Sequence, residues 1–93
     1  MIHLLREKAT TAQLAEMLET LDVYVKLAVD IEQGIAAGGG ALHADCEALL
    51  LEAGSQQTDV WGADWIPASQ EVRYEATIRA RVKKVVESLL GGV

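Results

Sequence analysis

Hydrophobic positions in the first third of the chain recur with the spacing of an α-helix. The stripe begins at Leu14, Met17 and Leu18 and continues at i, i+3, i+4 and i+7 intervals to Ile35. Charged and polar residues occupy many of the positions between, although three valines lower the intrinsic helix propensity. This spacing predicts one long amphipathic helix from Thr11 to Ala37.

The predicted helix has a start signal and a stop signal. The Thr10 hydroxyl can accept a hydrogen bond from the Gln13 amide while the Gln13 side chain reaches back to the Thr10 amide, which is a capping box. At the other end, Gly38, Gly39 and Gly40 combine a high entropic cost in a helix with easy access to positive φ. We therefore expect this glycine run to end the helix.

The segment over residues 41–53 fits two structures. Leu42 to Glu47 alternates apolar and polar residues as a strand does, whereas Ala, Leu and Glu dominate the positions that follow and Gly54 could cap a helix. We favour a strand because the next segment, Asp59 to Pro67, is typical of a strand closed by proline. The polar turn between the two segments predicts a hairpin.

Three further elements complete the pattern. Glu71 to Ala76 alternates cleanly and predicts a half-exposed strand. Thr77 opens a last helix, which Gly91 and Gly92 end. The short apolar run from Ile2 to Leu5 is either a brief strand or a sticky terminus.

The predicted order of elements is helix, antiparallel strands, helix. Packing both helices on one side of the sheet buries each apolar face. We expect an α+β fold, a two-layer sandwich with a long N-terminal helix, a small antiparallel sheet of about three to four strands, and a C-terminal helix. A length of 93 residues fits a single domain spanning 1–93.

The charge balance narrows the classes of partner. The chain contains eight Lys and Arg residues and fourteen Asp and Glu residues, which give a net charge of -6. That sign is wrong for neutralising nucleic-acid phosphates or for binding an anionic membrane surface. We expect neither nucleic acid nor a membrane as partner.

The single cysteine, Cys46, excludes an intramolecular disulfide and so gives no sign of an oxidising compartment. The chain starts without the long apolar region of a signal peptide, and no segment approaches the ~20 apolar residues that span a bilayer. These features predict a cytoplasmic location.

One cluster of side chains has the chemistry of a metal site. On a strand, His43, Asp45 and Glu47 project from one face, and one imidazole with two carboxylates suits Zn, Mn or Fe. On a strand the outer two, His43 and Glu47, lie too far apart to share an ion without help from Asp59, Asp30 or Glu32. If a divalent metal is bound, we expect His43 to act with the adjacent Asp45 or, with such help, with Glu47. The alternative is a solvated strand face.

Two tryptophans predict either a core or an interface. Trp61 and Trp65 share one face of the predicted strand, so they form an exposed apolar patch unless a helix covers them.

Four polar side chains are better suited to structural roles than to catalysis. Asp30 and Glu32 point about 200° apart on a helix and cannot work as an acid/base pair, so we expect one of them to accept hydrogen bonds from the Gly38 to Leu42 backbone. Ser55 and Asp59 are typical of residues that cap amides in turns.

The stretch from Val29 to Pro67 resembles a small family of uncharacterised bacterial proteins, a domain of unknown function. The matching residues are Val29-Asp30-Ile31-Glu32, Gly39-Gly40, Leu42-His43-Ala44-Asp45, Glu47, Leu50-Leu51, Gly54-Ser55, Gln57, Asp59-Val60-Trp61-Gly62 and Pro67. The resemblance implies an α+β fold with strands in the middle of the chain and implies no activity. Relatives carry a longer strand and a polar loop before the last helix, where this chain runs almost directly from Tyr74 to Ile78.

These observations predict a non-enzymatic binding or assembly module that self-associates as a homodimer or binds another protein. The alternative is a small metal-binding protein or metal-dependent hydrolase that uses His43 with Asp45 or Glu47.

Overall fold

The computed structural model describes residues 1–74 and 79–93. Within these residues five strands and three helices follow one another, and a single 3-10 turn (Gln57–Asp59) precedes the fourth strand. In chain order they are β1 (His3–Leu5), α1 (Thr11–Leu18), β2 (Val25–Asp30), β3 (Ile35–Gly40), α2 (His43–Glu52), β4 (Val60–Ile66), β5 (Glu71–Tyr74) and α3 (Arg79–Leu90).

The strands form one antiparallel sheet in the order β1-β3-β2-β4-β5. The α+β class predicted from the sequence is confirmed, but the predicted three to four strands are too few, since the sheet has five among the described residues. The strands that the prediction lacked are β2 and β3, which lie mostly in the second half of the predicted long helix.

The prediction of one long helix from Thr11 to Ala37 is wrong. α1 has eight residues, begins after the Thr10 capping box as predicted, and ends at Leu18. Asp22 then adopts φ 69°, a left-handed conformation that no continuing helix tolerates. The rest of the stripe is the β2–β3 hairpin, in which Val25 and Val29 are completely buried in β2, while Val23 lies just before the strand.

The glycine run does not end a helix but lies inside β3, where all six residues are buried. Gly39 has φ 109°, and a Cβ there would overlap the Met1 carbonyl oxygen and lie 3.0 Å from Met17 Cα. The small residues of β3 therefore let the N-terminal segment and α1 approach the sheet backbone.

The predicted strand and hairpin over residues 41–67 are also wrong in their first half. Residues 43–52 form α2, because the Ala, Leu and Glu content that favoured a helix outweighs the short alternation at its start. Its buried side chains, Cys46 and Leu50, are four residues apart, as one helical face requires. β4 pairs instead with β2 and β5.

α2 covers the opposite face of the sheet from α1 and α3, so the predicted two-layer sandwich is a three-layer arrangement. One core cluster joins α1 and α3 to the sheet, and a smaller one joins α2 to the other face through residues such as Ala28, Ala37 and Val60. Both faces of the central strand β2 are consequently buried.

The C-terminal elements agree better with the sequence. β4 and the described part of the third predicted run, Glu71–Tyr74, are strands, and α3 ends at Leu90 just before the predicted Gly91 stop. The predicted end of that run at Ala76 and the predicted helix start at Thr77 lie outside the described residues.

Candidate functional site

α2 lies over β2, β3 and β4, and it leaves the same face of β5 and the adjoining end of β4 uncovered. Two hollows of about 420 and 450 Å³ open there and share Asp64 and Arg73 in their linings. We call these two hollows together the β4–β5 groove. The remaining lining residues are His43, Trp61, Gly62, Ala63 and Tyr74 in the first hollow, and Val23, Tyr24, Ile66 and Ala68 in the second.

His43 enters the first hollow from the start of α2. Its Nε2 lies 3.0 Å from Asp64 Oδ1 and 3.1 Å from the Ala63 carbonyl oxygen. A carboxylate and a carbonyl oxygen can only accept, so Nε2 carries the hydrogen and donates to both. Beneath the ring lies Gly62, where a Cβ would lie 3.4 Å from the imidazole Cγ. The imidazole ring therefore packs directly against the β4 backbone at Gly62.

A row of charged side chains crosses the sheet at the centre of the groove. The register places Lys26 of β2, Asp64 of β4 and Arg73 of β5 side by side on one face, about 5 Å apart between neighbouring Cβ atoms. Arg73 is 64% exposed and its Nε donates to Glu71 at 3.2 Å. The Lys26 ammonium lies 5.5 Å from the Tyr24 ring centroid. The row carries charges of both signs and stays open to solvent.

The second hollow is more apolar than the first. Tyr24 and Ile66 are half-buried in its walls, and Val23 at its rim is 67% exposed. Val23 is the most exposed of the large hydrophobic side chains described. The second hollow therefore gives the groove an apolar wall beside its charged row.

The structure does not bring the three residues of the sequence-predicted metal cluster together. They lie on a helix, where positions two apart diverge by about 200°, so Asp45 is on the other side of α2 from His43. Glu47, four residues on, shares the His43 face. Among the described residues no group of three or more metal-ligating side chains is found. His43 pairs with Asp64 instead.

Trp61 and Trp65 share one strand face as predicted, and that face is turned toward α1 and α3. Trp65 is completely buried, while Trp61 is half-buried and borders the first hollow. Neither indole Nε1 has a hydrogen-bond partner among the described residues. An interface at Trp61 stays a prediction, and one that used Trp65 would require the core to open.

Asp30 is the centre of a buried polar network at the opposite end of the sheet. Its carboxylate accepts hydrogen bonds from the Ser55 hydroxyl at 2.6 Å, from the Glu32 and Gln33 amides at 2.9 Å, and from Gln33 Nε2 at 2.8 Å. Burial alone would raise the pKa of Asp30, but these hydrogen bonds outweigh it and the pKa lies below its ordinary value. The network joins the β2–β3 turn to the segment after α2.

The other motif residues near this end support the same junction. Gly54 adopts φ 103° just after α2, and the Ser55 amide then donates to the Leu50 carbonyl. The Asp59 carbonyl accepts from the Ile31 amide at 3.0 Å, and Glu32 is exposed and accepts from Arg81. The sequence predicted that Asp30 or Glu32 would accept hydrogen bonds from the Gly38 to Leu42 backbone. Asp30 accepts backbone hydrogen bonds instead from Glu32 and Gln33, in the turn that directly follows it.

Cys46 is buried in the α2 face of the core, and its thiol donates to the Lys26 carbonyl at 3.5 Å. Burial, aided by the neighbouring Asp45 and Glu47 carboxylates, raises the pKa of this thiol. A buried, protonated thiol is unreactive, so Cys46 serves packing.

Sequence reasoning did not select Asp64 or Arg73 as site residues. Alternation along β4 and β5 would have placed each on a polar face, but only the register shows that the two strands are neighbours and that α2 places His43 above them.

Residues 3–89 match the family model described as a protein of unknown function (DUF5674). The chain belongs to the DUF5674 family. The resemblance to a domain of unknown function is therefore confirmed, and the match includes both the β4–β5 groove and the Asp30 network. No curated protein and no solved structure matches the chain. In the described part of this DUF5674 protein, no helix has the length and apolar character needed to cross a membrane.

Proposed function

We propose that this protein is a non-enzymatic binding and assembly module whose docking site is the β4–β5 groove. The observation that carries the proposal is the part of the sheet that α2 leaves uncovered. α2 does not extend over β5, and two hollows meet there at Asp64 and Arg73. A continuous recess with apolar walls and a few polar groups is the usual anatomy of a binding surface.

The side chains at the centre of the groove support binding through specific polar contacts. Asp64 is held by His43, and it keeps 27% of its side chain exposed. Arg73 forms an ion pair with Glu71, and 64% of its side chain is exposed. A positioned carboxylate beside an extended guanidinium can pair with a partner's charges and fix its orientation.

The test is a titration of ¹⁵N-labelled protein, followed by NMR, with indole, benzoate and benzylamine as probes. These probes offer the same kind of aromatic body as a neutral, an anionic and a cationic molecule. We expect the amide resonances of Gly62, Asp64, Ile66 and Arg73 to shift together and to saturate for at least one probe.

Arg73→Gln should weaken the response to benzoate, whereas the matched variant Arg81→Gln, which alters an exposed arginine paired with Glu32, should not. If no probe moves the groove resonances, or if the shifts cluster elsewhere, the groove is not the binding site.

A second candidate is a metal-binding protein or metal-dependent hydrolase in which His43 is a ligand. The observation that favours it is the closeness of two oxygen atoms, at 3.0 and 3.1 Å, to His43 Nε2. The metal would replace the hydrogen on Nε2. Asp64 would then take the place predicted for Asp45 or Glu47, and nitrogen with oxygen ligands suits Zn, Mn or Fe.

Thermal melts with EDTA, Mg, Mn, Zn and Ni test this candidate. A metal that binds the native state raises its melting temperature. A rise with one metal that disappears in His43→Ala would support the metal site, and equal melts in every condition would dismiss it.

A further inference from the structure

We infer that the occupant of the β4–β5 groove is a second copy of this chain, related by a two-fold axis that runs parallel to β4 and β5, outside the sheet above its uncovered face and midway between Asp64 and Arg73. This inference rests on the proposed function, because it names the partner of the same groove.

The charges at the centre of the groove are arranged for self-pairing. Asp64 and Arg73 are directly opposite each other on adjacent strands and face the same way, yet each has a different partner, His43 and Glu71 respectively. Rotation by 180° about an axis above this face, parallel to the strands and midway between them, places the second copy's Arg73 over Asp64, and its Asp64 over Arg73. A single rotation therefore forms two identical ion pairs, as an isologous interface requires.

The balance of charge along the row also favours a second copy over a strongly charged partner. Lys26 and Arg73 are matched by Asp64 of the row and by Glu71 beside it, so these four side chains carry no net charge although the whole chain carries a net charge of -6. Two copies can meet here without the repulsion that their other acidic surfaces would cause.

The apolar part of the groove has the features that a self-complementary contact needs. Val23 is 67% exposed at the rim of the second hollow, and Ile66 and Tyr24 line its wall. A two-fold interface presents both the exposed side chain and the recess twice, so covering Val23 in one copy covers it in the other.

The experiment is a charge exchange followed by sedimentation velocity. The wild-type protein is measured from about 1 μM to 1 mM, the range of weak to moderate dimers. We expect a monomer–dimer equilibrium in this range. Asp64→Arg and Arg73→Asp, each alone, place like charges opposite each other and should raise the dimer dissociation constant at least about tenfold.

Mixing the two variants gives the decisive result. In the mixed dimer one copy carries two arginines at positions 64 and 73 and the other carries two aspartates, so both contacts again join opposite charges. The mixture should dimerise with an affinity near that of the wild type. Arg81→Asp, at an exposed arginine away from the groove, should leave the wild-type dimer unchanged.

Asp64→Arg also removes an acceptor of His43, so circular dichroism must show that this variant is folded. If it is not, Arg73→Asp and Val23→Asp replace it, and both must weaken the dimer. A protein that is monomeric at every concentration, a dimer that neither reversal weakens, or a mixture of folded variants that stays monomeric would overturn the inference. A monomer whose groove still binds indole or benzoate would overturn the second copy and leave the proposed function intact.

Discussion

Asp30 shows how much one side chain can contribute to the junction between two segments of the chain. Ser55→Ala removes one hydrogen bond to this buried carboxylate, and hydrogen bonds to charged groups contribute about 1.5–3 kcal/mol each. We expect Ser55→Ala to lower the free energy of unfolding by that amount. Asp30→Asn should lower it more, because its side-chain NH₂ group would replace an acceptor oxygen opposite hydrogen-bond donors. Urea denaturation measures both. Ser88→Ala, which removes an exposed serine bonded to a neutral carbonyl, is the control and should change stability by less than about 0.5 kcal/mol.

The same residue should make stability depend on acid pH. The pKa of Asp30 is lower in the folded protein than in the unfolded chain, whose value is about 3.9. Its contribution is therefore complete above that value and is lost as pH falls through the lower, folded value. The free energy of unfolding of the wild type should decline below about pH 4, and Asp30→Asn should show a shallower decline. Equal slopes for the two proteins would contradict this assignment.

At the same scale, sequence reasoning predicted a structural role for Asp30 but not its partners. Ser55 is 25 residues away, and its hydroxyl reaches Asp30 only because α2 returns the chain to the β2–β3 turn. His43 was selected for its chemistry, whereas its partner Asp64 depends on the placement of α2 over β4.

Among the elements, β3 depends most on side-chain size. In Gly39→Ala the new Cβ would collide with the backbone of Met1 and press on Met17, at a φ of 109°. Backbone strain and overpacking each cost about 1–3 kcal/mol, so we expect a loss of about 3 kcal/mol or failure to fold.

Gly34→Ala provides the matched control for that prediction. Gly34 also has positive φ, 69°, but nothing lies within 4 Å of its Cβ position, so only about 1–2 kcal/mol of strain is expected. Thermal unfolding of the two variants separates the effects. Similar losses in both would show that the close approach at Gly39 is unimportant.

The elements also show where periodicity misleads. The helical stripe over residues 14–35 matches a real helix only to Leu18, because the residues of β2 are buried on both faces and their apolar positions fit any period. The segment that forms α2 was predicted as a strand, because its first residues alternate between apolar and polar although its composition favours a helix. Short segments of either kind are decided by what packs against them.

At the scale of the whole molecule, the uncovered groove predicts stability that depends on protein concentration. If two copies pair through the groove and unfold to separate chains, the melting temperature of the wild type should rise with concentration. Scanning calorimetry over a hundredfold range measures the effect. Arg73→Asp should melt at a temperature that concentration does not change, and a wild type that behaves in the same way would contradict the dimer.

What the sequence by itself determined is the α+β class, the Thr10 capping box, the two C-terminal strands as far as Tyr74, the end of α3 and the family. These features depend on local hydrogen bonding, on alternation in half-exposed strands and on motif residues that are close in the chain. Tertiary structure decided that β2 and β3 are strands, that α2 is a helix on the far side of the sheet, and that His43, Asp64 and Arg73 meet. The physical reason is that burial on both faces removes the polar half of the pattern, and that register and layer order arise only when distant segments pack.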